Sequence, residues 1–398
     1  MIDIASRTIL SAAPSARMTQ QYPQGRSLIK GAWLLCGLLL LVLPASGHAA
    51  KVSGLYEAEV LVTSQGRDER NEAVKLALDE VLVRISGNRN TPRLTALQGL
   101  YKRSLQLVQQ YRYRALPHLA GEGSEQTGRL TQVLWVSFDQ AVIDQALRRA
   151  GVPLWGQVRP ATLAWVVVDD GGVRALMGAE TLSQPKKVMQ QQAQRRGLPL
   201  FVPLWDLEDQ MAIRFADVWG NFQGTILRAS ARYATEAVLV GRLHHRGGLW
   251  EARWTLYQGG ETDHWEASSP LQAEVLSAGV DGVADHLGRR FAKVFDESQS
   301  GHVKVVVKDI NTLEAYARTS QFLASLDVVT ALQVERVVDT TMTFDLRVRG
   351  NSEGLAQIIS FGRTLAEVPA VINVDEQDDL QWLPADEVAE QLWYRLLP

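Results

Sequence analysis

The segment from Gly54 to Asn88 predicts a strand followed by a helix. Apolar and acidic residues alternate from Leu55 to Val62, which is the period of a strand with one face in a core. Apolar residues then recur at helical spacing from Val74 to Ile85, and Gly87 is a suitable helix end. The acidic residues and Arg84 of this helix predict a solvated face.

The rest of residues 50–158 continues this alternation of strands and helices. The pattern predicts a helix from Leu94 to Tyr111, an exposed loop from Ala115 to Gly128, a strand from Leu130 to Phe138 and a helix from Gln140 to Ala150. Residues 50–158 are therefore predicted to form an amino-terminal α/β domain.

Residues 159–300 predict a central α/β domain that carries an antiparallel meander. Thr162 to Gly172 is an apolar run ending in a turn, which is typical of a strand covered on both faces. Three strands separated by glycine turns form the predicted meander: Ala237–Leu243, Trp250–Tyr257 and His264–Ala267. A long helix from Leu271 to Phe295 closes the domain.

Residues 301–374 predict a ferredoxin-like βαββαβ domain. The expected elements are a strand Val303–Lys308, a helix Leu313–Leu326, strands Val328–Val338 and Met342–Arg349, a helix Leu355–Ala366 and a short strand near Val371–Val374. Residues 375–398 follow as an acidic stretch and a tail helix, Glu387–Leu397. The predicted fold is thus multi-domain, α/β and α+β.

Residues 1–49 predict a cleaved signal peptide. Lys30 precedes an apolar run, Gly31 to Leu43, which is too short to span a membrane comfortably. Small residues follow, so cleavage is expected after Ala49, with Ala50 or a retained anchor as alternatives. Met18 is an alternative start. The expected location is the periplasm, and contact with the membrane is expected through the signal before cleavage.

Composition narrows the chemistry of the mature protein. The one cysteine, Cys36, lies in the signal, so disulfides and cysteine metal sites are not expected. The full chain has a formal charge of −3, and removal of residues 1–49 makes it more acidic. A mildly acidic chain without a basic block is unsuited to nucleic acid.

One stretch matches the nucleophile motif G-x-S-x-G, from Gly350 to Gly354. That motif needs a later histidine to accept the proton of Ser352, and no histidine follows His302. The preferred interpretation is that Asn351 or Ser352 caps a helix.

Metal and cofactor sites are not predicted. His244 and His245 are adjacent and would point to opposite faces of a strand, which does not favour a zinc site with His264. Asp169 and Asp170 precede two glycines, which favours a turn over a metal site. Nucleotide-binding and zinc-protease motifs are absent from the sequence, so no catalytic residue, cofactor or metal is expected.

Tryptophans supply the candidate ligand-binding residues. Trp250 and Trp254 alternate with polar residues and are expected in a core. Trp155, Trp205 and Trp219 lie in less regular surroundings, so they are the residues expected to be exposed for ligand stacking.

Two phrases carry a resemblance to a known family. The chain resembles exported proteobacterial proteins of the domain of unknown function 2066. The resemblance lies in two stretches, VSGLYEAEVLVTSQGRDERNEAVKLALDEVLVRISGN and GVPLWGQVRPATLAWVVVDD. The similarity covers most of the mature chain and is strongest in residues 52–90 and 133–170. It implies a cell-envelope setting and supplies no catalytic residues.

The expected function is therefore that of a non-enzymatic scaffold or adaptor with partners among the envelope proteins. The alternative is a soluble periplasmic binding protein for a glycan or another small envelope ligand. A hydrolase is disfavoured, because no catalytic constellation in the sequence is complete.

Overall fold

The amino-terminal part of the protein is a three-stranded antiparallel sheet that shares a core with a long helix and a shorter one. The computed structural model describes residues 52–115, 132–178, 182–292, 300–362, 364–369 and 391–397. The elements of this part are β1 Glu57–Val62, α1 Arg67–Ser86, α2 Gln98–Lys102, β2 Val108–Ala115, β3 Gln132–Phe138 and α3 Gln140–Arg149. The strand order is β1-β3-β2.

The predicted strand and helix at the start of this unit are confirmed. Ala58 and Val62 of β1 are buried, and α1 ends at Gly87, whose φ of 70° is in the left-handed region that suits glycine. The predicted helix from Leu94 to Tyr111 was wrong. The chain forms short 3-10 turns and α2 there, and then enters β2, because residues 108–115 alternate and find a partner in β3.

The central part is a six-stranded mixed sheet, and its predicted meander is confirmed. Its elements are β4 Thr162–Asp170, β5 Val173–Leu176, α4 Ser183–Arg196, β6 Leu200–Phe201, α5 Leu207–Ala212, α6 Phe215–Trp219, α7 Gln223–Ser230, β7 Ala237–Arg246, β8 Leu249–Gln258, β9 Glu261–Ser269 and α8 Gln272–Phe291. The order is β5-β4-β7-β8-β9, and β6 pairs with β4. Strands β4 and β7 are parallel, whereas β7, β8 and β9 are antiparallel neighbours.

Strand β4 is covered on both faces, as its continuous apolar run predicts. Leu163, Trp165 and Val167 pack in one core with residues of α6 and α7 and with Ile213, which follows α5. The intervening residues Ala164 and Val166 belong to the opposite core, which includes residues of α4 and α8. This two-sided burial makes β4 the centre of the layered architecture.

The carboxy-terminal part is a five-stranded sheet. Its elements are β10 Ser300–Lys308, α9 Leu313–Ala324, β11 Val329–Val338, β12 Thr341–Arg349, α10 Ser352–Phe361, β13 Leu365–Glu367 and β14 Gln391–Leu396. The order is β11-β12-β10-β14-β13. Its helices share one core with the central part, and Phe291 meets Phe361 edge-on at 4.5 Å between ring centroids.

Two features of this sheet correct the sequence prediction. Residues 391–396 form a strand and not the predicted tail helix Glu387–Leu397, because Leu392, Tyr394 and Leu396 alternate toward the core. This strand, β14, lies parallel to β10 and separates it from β13. The ferredoxin-like arrangement is therefore not confirmed, although the mixed α/β, multi-domain fold is.

Several predictions lie outside the described residues. They are the signal segment 1–49, the loop from Ala115 to Gly128 beyond its first residue, the strand near Val371–Val374 and the acidic stretch Asp375–Asp379. Within the described part of the chain, no helix combines the length and apolar character needed to cross a membrane.

Candidate functional site

The three tryptophans predicted to bind ligand are not exposed together. Trp155 is buried, with 1% of its surface accessible, and the guanidinium of Arg159 lies 4.1 Å from the centre of its ring. Trp205 and Trp219 are half-buried against the core on the other side of β4. The expectation of an exposed Trp155 was therefore wrong, and the three rings do not form one stacking platform.

The formal catalytic motif is a helix start. Ser352 is the first residue of α10, and the side chain of Asn351 accepts a hydrogen bond from the main-chain N–H of Gly354 at 3.0 Å. The capping interpretation of this motif is confirmed.

The histidines and aspartates of the central sheet have structural partners. His245 stacks on Trp250 with 4.5 Å between ring centroids and lies 2.8 Å from a carboxylate oxygen of Asp170. Asp169 accepts from the N–H of Gly172 at 3.0 Å, as expected in a turn. Among the described residues, no group of three or more His, Cys, Asp or Glu side chains is placed to hold a metal ion.

Three buried arginines, Arg84, Arg159 and Arg196, form a cluster where α1, α4 and α8 meet. The predicted solvated position of Arg84 was wrong. Its guanidinium donates to the carbonyl oxygens of Gly54 at 2.9 Å and Arg195 at 2.8 Å, and to the carboxylate of Glu80 at 2.5 Å. A charged residue near the end of an amphipathic helix is ordinarily solvated, and only the folded neighbours reveal this burial.

Arg159 is the centre of this arginine cluster. Its guanidinium donates five hydrogen bonds to main-chain carbonyls, those of Arg84, Trp155, Gly156, Arg196 and Gly197, at 2.8 to 3.0 Å. Burial, assisted by the charges of Arg84 and Arg196, lowers the pKa of Arg159 to about 9. The side chain therefore ties the linker after Trp155 to the carboxyl ends of α1 and α4.

The arginine cluster explains the two sequence phrases that carry the family resemblance. The N–H of Trp155 donates to the carbonyl of Ile85 at 2.6 Å, and Arg196 donates to Asp281 at 2.8 Å and Asp285 at 2.7 Å on α8. The phrases RISGN and WGQVRPATLAW thus meet in one buried joint. Most of its donors are paired within the protein, the Nε of Arg196 and the indole N–H of Trp155 being exceptions among the described residues, and its hydrogen bonds connect α1, α4 and α8.

A cavity lies beside this joint, between the amino-terminal and carboxy-terminal parts; it is called the junction cavity below. Its volume is about 480 Å³. Its polar lining comes from Tyr56, Gln109, Asp139, Gln140, Asp144, Arg148, Trp155, Gln157, Asp327 and Arg349. Both the size and the convergent polar groups fall in the range of small-molecule sites.

Carboxylates are held in defined positions in the junction cavity. The hydroxyl of Tyr56 donates to Asp144 at 2.6 Å, and the main-chain N–H of Gln157 donates to Asp327 at 2.5 Å. Gly156 permits this approach, since a Cβ there would lie 2.2 Å from the Asp327 carboxylate. Burial raises the pKa of Asp144 despite its bond to Tyr56, and burial together with Asp144 raises the pKa of Tyr56.

The junction cavity offers recognition by hydrogen bonds and charge. Among the residues that the structure describes, its lining includes no serine, threonine, cysteine, histidine or lysine. No sequence signal marks Tyr56, Asp144 or Asp327, because they are far apart in the chain and none belongs to a motif.

Comparison with known families identifies one domain. Residues 49–156 match the model of a domain of unknown function (DUF8605). The presence of a domain of unknown function is therefore confirmed, and the model that matches it is not that of the family expected from the resemblance, number 2066. No curated protein matches the chain. The matched residues form the amino-terminal sheet and its helices. The match does not test whether the protein is exported or whether it comes from a proteobacterium, so both stay predictions.

A second candidate region is an exposed apolar surface on the central part, formed by Leu204, Leu207 and Met211. Their exposed fractions are 58%, 73% and 80%. Leu207 and Met211 are four residues apart on α5 and so share one helix face. Leu207 and Met211 interrupt an acidic segment of the sequence, which is a sign of an exposed apolar surface. The same apolar spacing suits a buried helix equally well, so the sequence alone does not distinguish the two.

A polar network holds the apolar surface in place. Asp209 is fully buried and accepts from the main-chain N–H of Trp205 at 2.8 Å, the hydroxyl of Tyr233 at 2.5 Å and the guanidinium of Arg232 at 3.0 Å. Trp205 has a φ of 58°, which is unusual for a residue other than glycine. The network therefore fixes a strained main-chain conformation next to the exposed side chains.

Because of this network, the stability of the folded protein is expected to depend on pH. Asp206 forms a two-pronged pair with Arg232, at 2.7 and 2.9 Å, and these bonds lower the pKa of Asp206 from 3.8 to about 2. Because the folded pKa is lowered, the stabilisation is complete above about pH 4 and is lost as the pH falls toward 2.

Asp206→Asn isolates this charge, because asparagine can still cap α5 as Asp206 does. We expect the variant to melt below the parent at neutral pH and the gap between the melting temperatures to close toward pH 2. Circular dichroism melts of both proteins across this range measure the gap. A gap that stays constant down to pH 2 would contradict the assignment.

Proposed function

We propose that the protein is an exported, non-enzymatic adaptor of the cell envelope that binds another protein through the apolar surface of Leu204, Leu207 and Met211. The observation that carries this proposal is the exposure of three large apolar side chains beside a strained turn whose main-chain N–H groups donate to Tyr233 and Asp209. Single exposed apolar residues are common, but a group on one fixed element is typical of a binding surface.

Rigidity favours this surface as an interface. The buried carboxylate of Asp209 binds both the turn at Trp205 and the side chains of Arg232 and Tyr233. Tyr233 also accepts from the main-chain N–H of Leu204 at 2.8 Å. A surface that is already ordered loses little conformational entropy on binding, so more of the contact energy contributes to affinity.

Charge near the apolar surface indicates the chemistry of the partner. Asp206 and Glu208 flank Leu207, and their side chains are 42% and 68% exposed. Arg232 neutralises them in part, so the rim keeps an acidic balance. The partner expected is a protein with an apolar pocket or helix face bordered by basic residues.

The test uses a photo-crosslinking amino acid at position 211 in the cell that makes the protein, with position 313 as the matched control. Leu313 is 81% exposed, like Met211, and lies on α9 of the carboxy-terminal part. We expect one stoichiometric partner to be captured from position 211 and not from position 313. The mass of the recovered protein also reports whether cleavage follows Ala49.

Substitutions then decide whether the capture depends on the surface. With the crosslinker at position 211, Leu204→Glu combined with Leu207→Glu should reduce capture at least about tenfold, because charge at the centre of an apolar contact is costly. Leu313→Glu should leave it unchanged. Equal capture of the partner by the parent protein, the double variant and the Leu313→Glu variant would overturn the proposal.

A further inference from the structure

A groove lies between the amino-terminal sheet and helix α4; it is called the sheet groove below. Its volume is about 720 Å³, which is larger than that of the junction cavity. Strands β1 and β3 line one side of the sheet groove, and Gln191, Gln194 and Arg195 of α4 line the other. Both its size and its mixture of apolar and polar groups fall in the range of small-molecule sites.

The sheet contributes one aromatic ring and a small apolar area to this groove. Trp135 lies in β3 directly opposite Glu59 of β1, and Val133 lies directly opposite Leu61. Leu61 is 65% exposed, and it lines the groove together with Val133 and Trp135. These three side chains form a surface that suits a ligand with an apolar face of its own.

The indole ring of Trp135 is held in a fixed position. Its N–H donates to the carboxylate of Glu57 at 3.2 Å, and the guanidinium of Arg112 lies 4.4 Å from the centre of the ring. Trp135 lines the groove, whereas Arg112, on β2, does not. The part of the half-buried ring that lines the groove is therefore turned away from Arg112, and this surface is accessible to a ligand.

The α4 side of the groove offers polar groups that the protein leaves unused. Gln191 and Gln194 are three residues apart and share a face of α4, and Arg195 follows them. All three side chains are exposed, and none of them forms a hydrogen bond or an ion pair with another described residue. Amides both donate and accept, so this side can bind hydroxyl groups in either role.

Charge complementarity argues against an acidic ligand. Glu57, Glu59 and Glu80 line the groove against the two cations Arg84 and Arg195, which leaves an excess of negative charge. The guanidinium of Arg84 is also buried, and it already donates to main-chain carbonyls and to Glu80. An anion would therefore meet repulsion with Arg195 as its one accessible cation in the described lining.

The carboxylates of the groove do not call for a cationic ligand either. Glu59 forms an ion pair with Arg114 at 3.0 Å, and Glu80 pairs with Arg84. Glu57 accepts from the indole of Trp135. Each of these carboxylates keeps acceptor positions for hydroxyl groups, because an ionised carboxylate can accept about four hydrogen bonds.

We propose that the sheet groove binds a neutral oligosaccharide built of pyranose rings. One ring would stack on Trp135, because the C–H bonds on a pyranose face are attracted by the negative face of an aromatic ring. Its hydroxyl groups would hydrogen-bond to Gln191, Gln194 and Glu57. Leu61 and Val133 would contact the apolar face of a neighbouring ring.

This binding goes beyond the adaptor function and does not depend on it, because the sheet groove and the apolar surface have no residue in common. The stacking residue is Trp135 and not one of the three tryptophans predicted from the sequence.

The experiment titrates the intact protein with maltotetraose, cellotetraose and chitotetraose, and with tetragalacturonic acid as the acidic control. Calorimetry and intrinsic tryptophan fluorescence report binding. We expect at least one neutral oligosaccharide to bind, and tetragalacturonate to bind at least about tenfold more weakly than it does. The absence of binding by all three neutral probes at millimolar concentration, or equal binding of the acidic one, would overturn the proposal.

Substitutions locate the bound oligosaccharide. Gln191→Ala combined with Gln194→Ala should weaken binding at least about tenfold through lost hydrogen bonds, while alanine preserves the helix. Gln190→Ala is the matched control, because Gln190 is exposed on the same helix and does not line the groove. Trp135→Ala removes the stacking surface and should abolish detectable binding. Undiminished binding by the folded double glutamine variant would contradict the site even if Trp135→Ala failed to fold.

Discussion

Replacing Arg159 by methionine is expected to lower the free energy of unfolding by about 5 kcal/mol, enough to unfold much of the protein at physiological temperature. Methionine fills most of the volume but donates no hydrogen bond. Five main-chain carbonyls would lose the donor that Arg159 now supplies, four of them in fully buried hydrogen bonds, and each unsatisfied buried group costs about 1 to 3 kcal/mol. Urea unfolding followed by circular dichroism measures the change.

Arg112→Met is the matched control for this prediction. Arg112 also lies over a tryptophan, with its guanidinium 4.4 Å from the ring of Trp135, but its side chain is exposed. The control should change the free energy of unfolding by less than about 1 kcal/mol. If both variants lost a similar free energy of unfolding, the contact between the guanidinium and the tryptophan ring would be the source of the stabilisation. The hydrogen bonds from Arg159 to the main-chain carbonyls would then not be its source.

Gly288→Ala is expected to lower the free energy of unfolding by about 2 to 3 kcal/mol, despite its position inside a helix. A Cβ at Gly288 would lie 2.9 Å from the Cα and the carbonyl oxygen of Gly87, and main-chain atoms at a helix end cannot move aside easily. This cost exceeds the gain of about 1 kcal/mol that alanine brings to a helix. The measurement is again unfolding in urea.

Gly99→Ala is the matched control, because the same chemical change is expected to raise the free energy of unfolding at this position. Gly99 lies in α2, and a Cβ there would have no atom within 4 Å. Alanine should therefore stabilise the protein by about 0.5 kcal/mol through helix propensity. If both substitutions stabilised the protein, the close approach of α1 and α8 at Gly87 and Gly288 would be refuted.

The parts of the fold that depend on local pattern were predictable from the sequence. The apolar run of β4 indicated a strand covered on both faces, and the glycine turns at 247–248 and 259–260 indicated the meander of β7, β8 and β9. Each of these signals is contained within a few residues, so the distant chain does not change it.

The failures arose where a distant segment decides the structure. Residues 108–115 and 391–396 have apolar spacings that also suit a helix, and they become strands because β3 and β10 offer them a ladder. Arg84 has the sequence context of a surface residue and is buried by α4. The junction cavity was invisible for the same reason, since Tyr56, Asp144 and Asp327 meet only in the folded chain.

The position of β14 has a consequence for biosynthesis. Strands β10, β11 and β12 leave the ribosome well before residues 391–396, so one edge of β10 stays unpaired throughout that interval. An unpaired strand edge is a template for pairing with other chains, so aggregation is the expected hazard for the nascent protein during this interval. For a chain exported as proposed, late closure also has a benefit, because translocation requires an open polypeptide and this sheet cannot be completed until its fifth strand arrives.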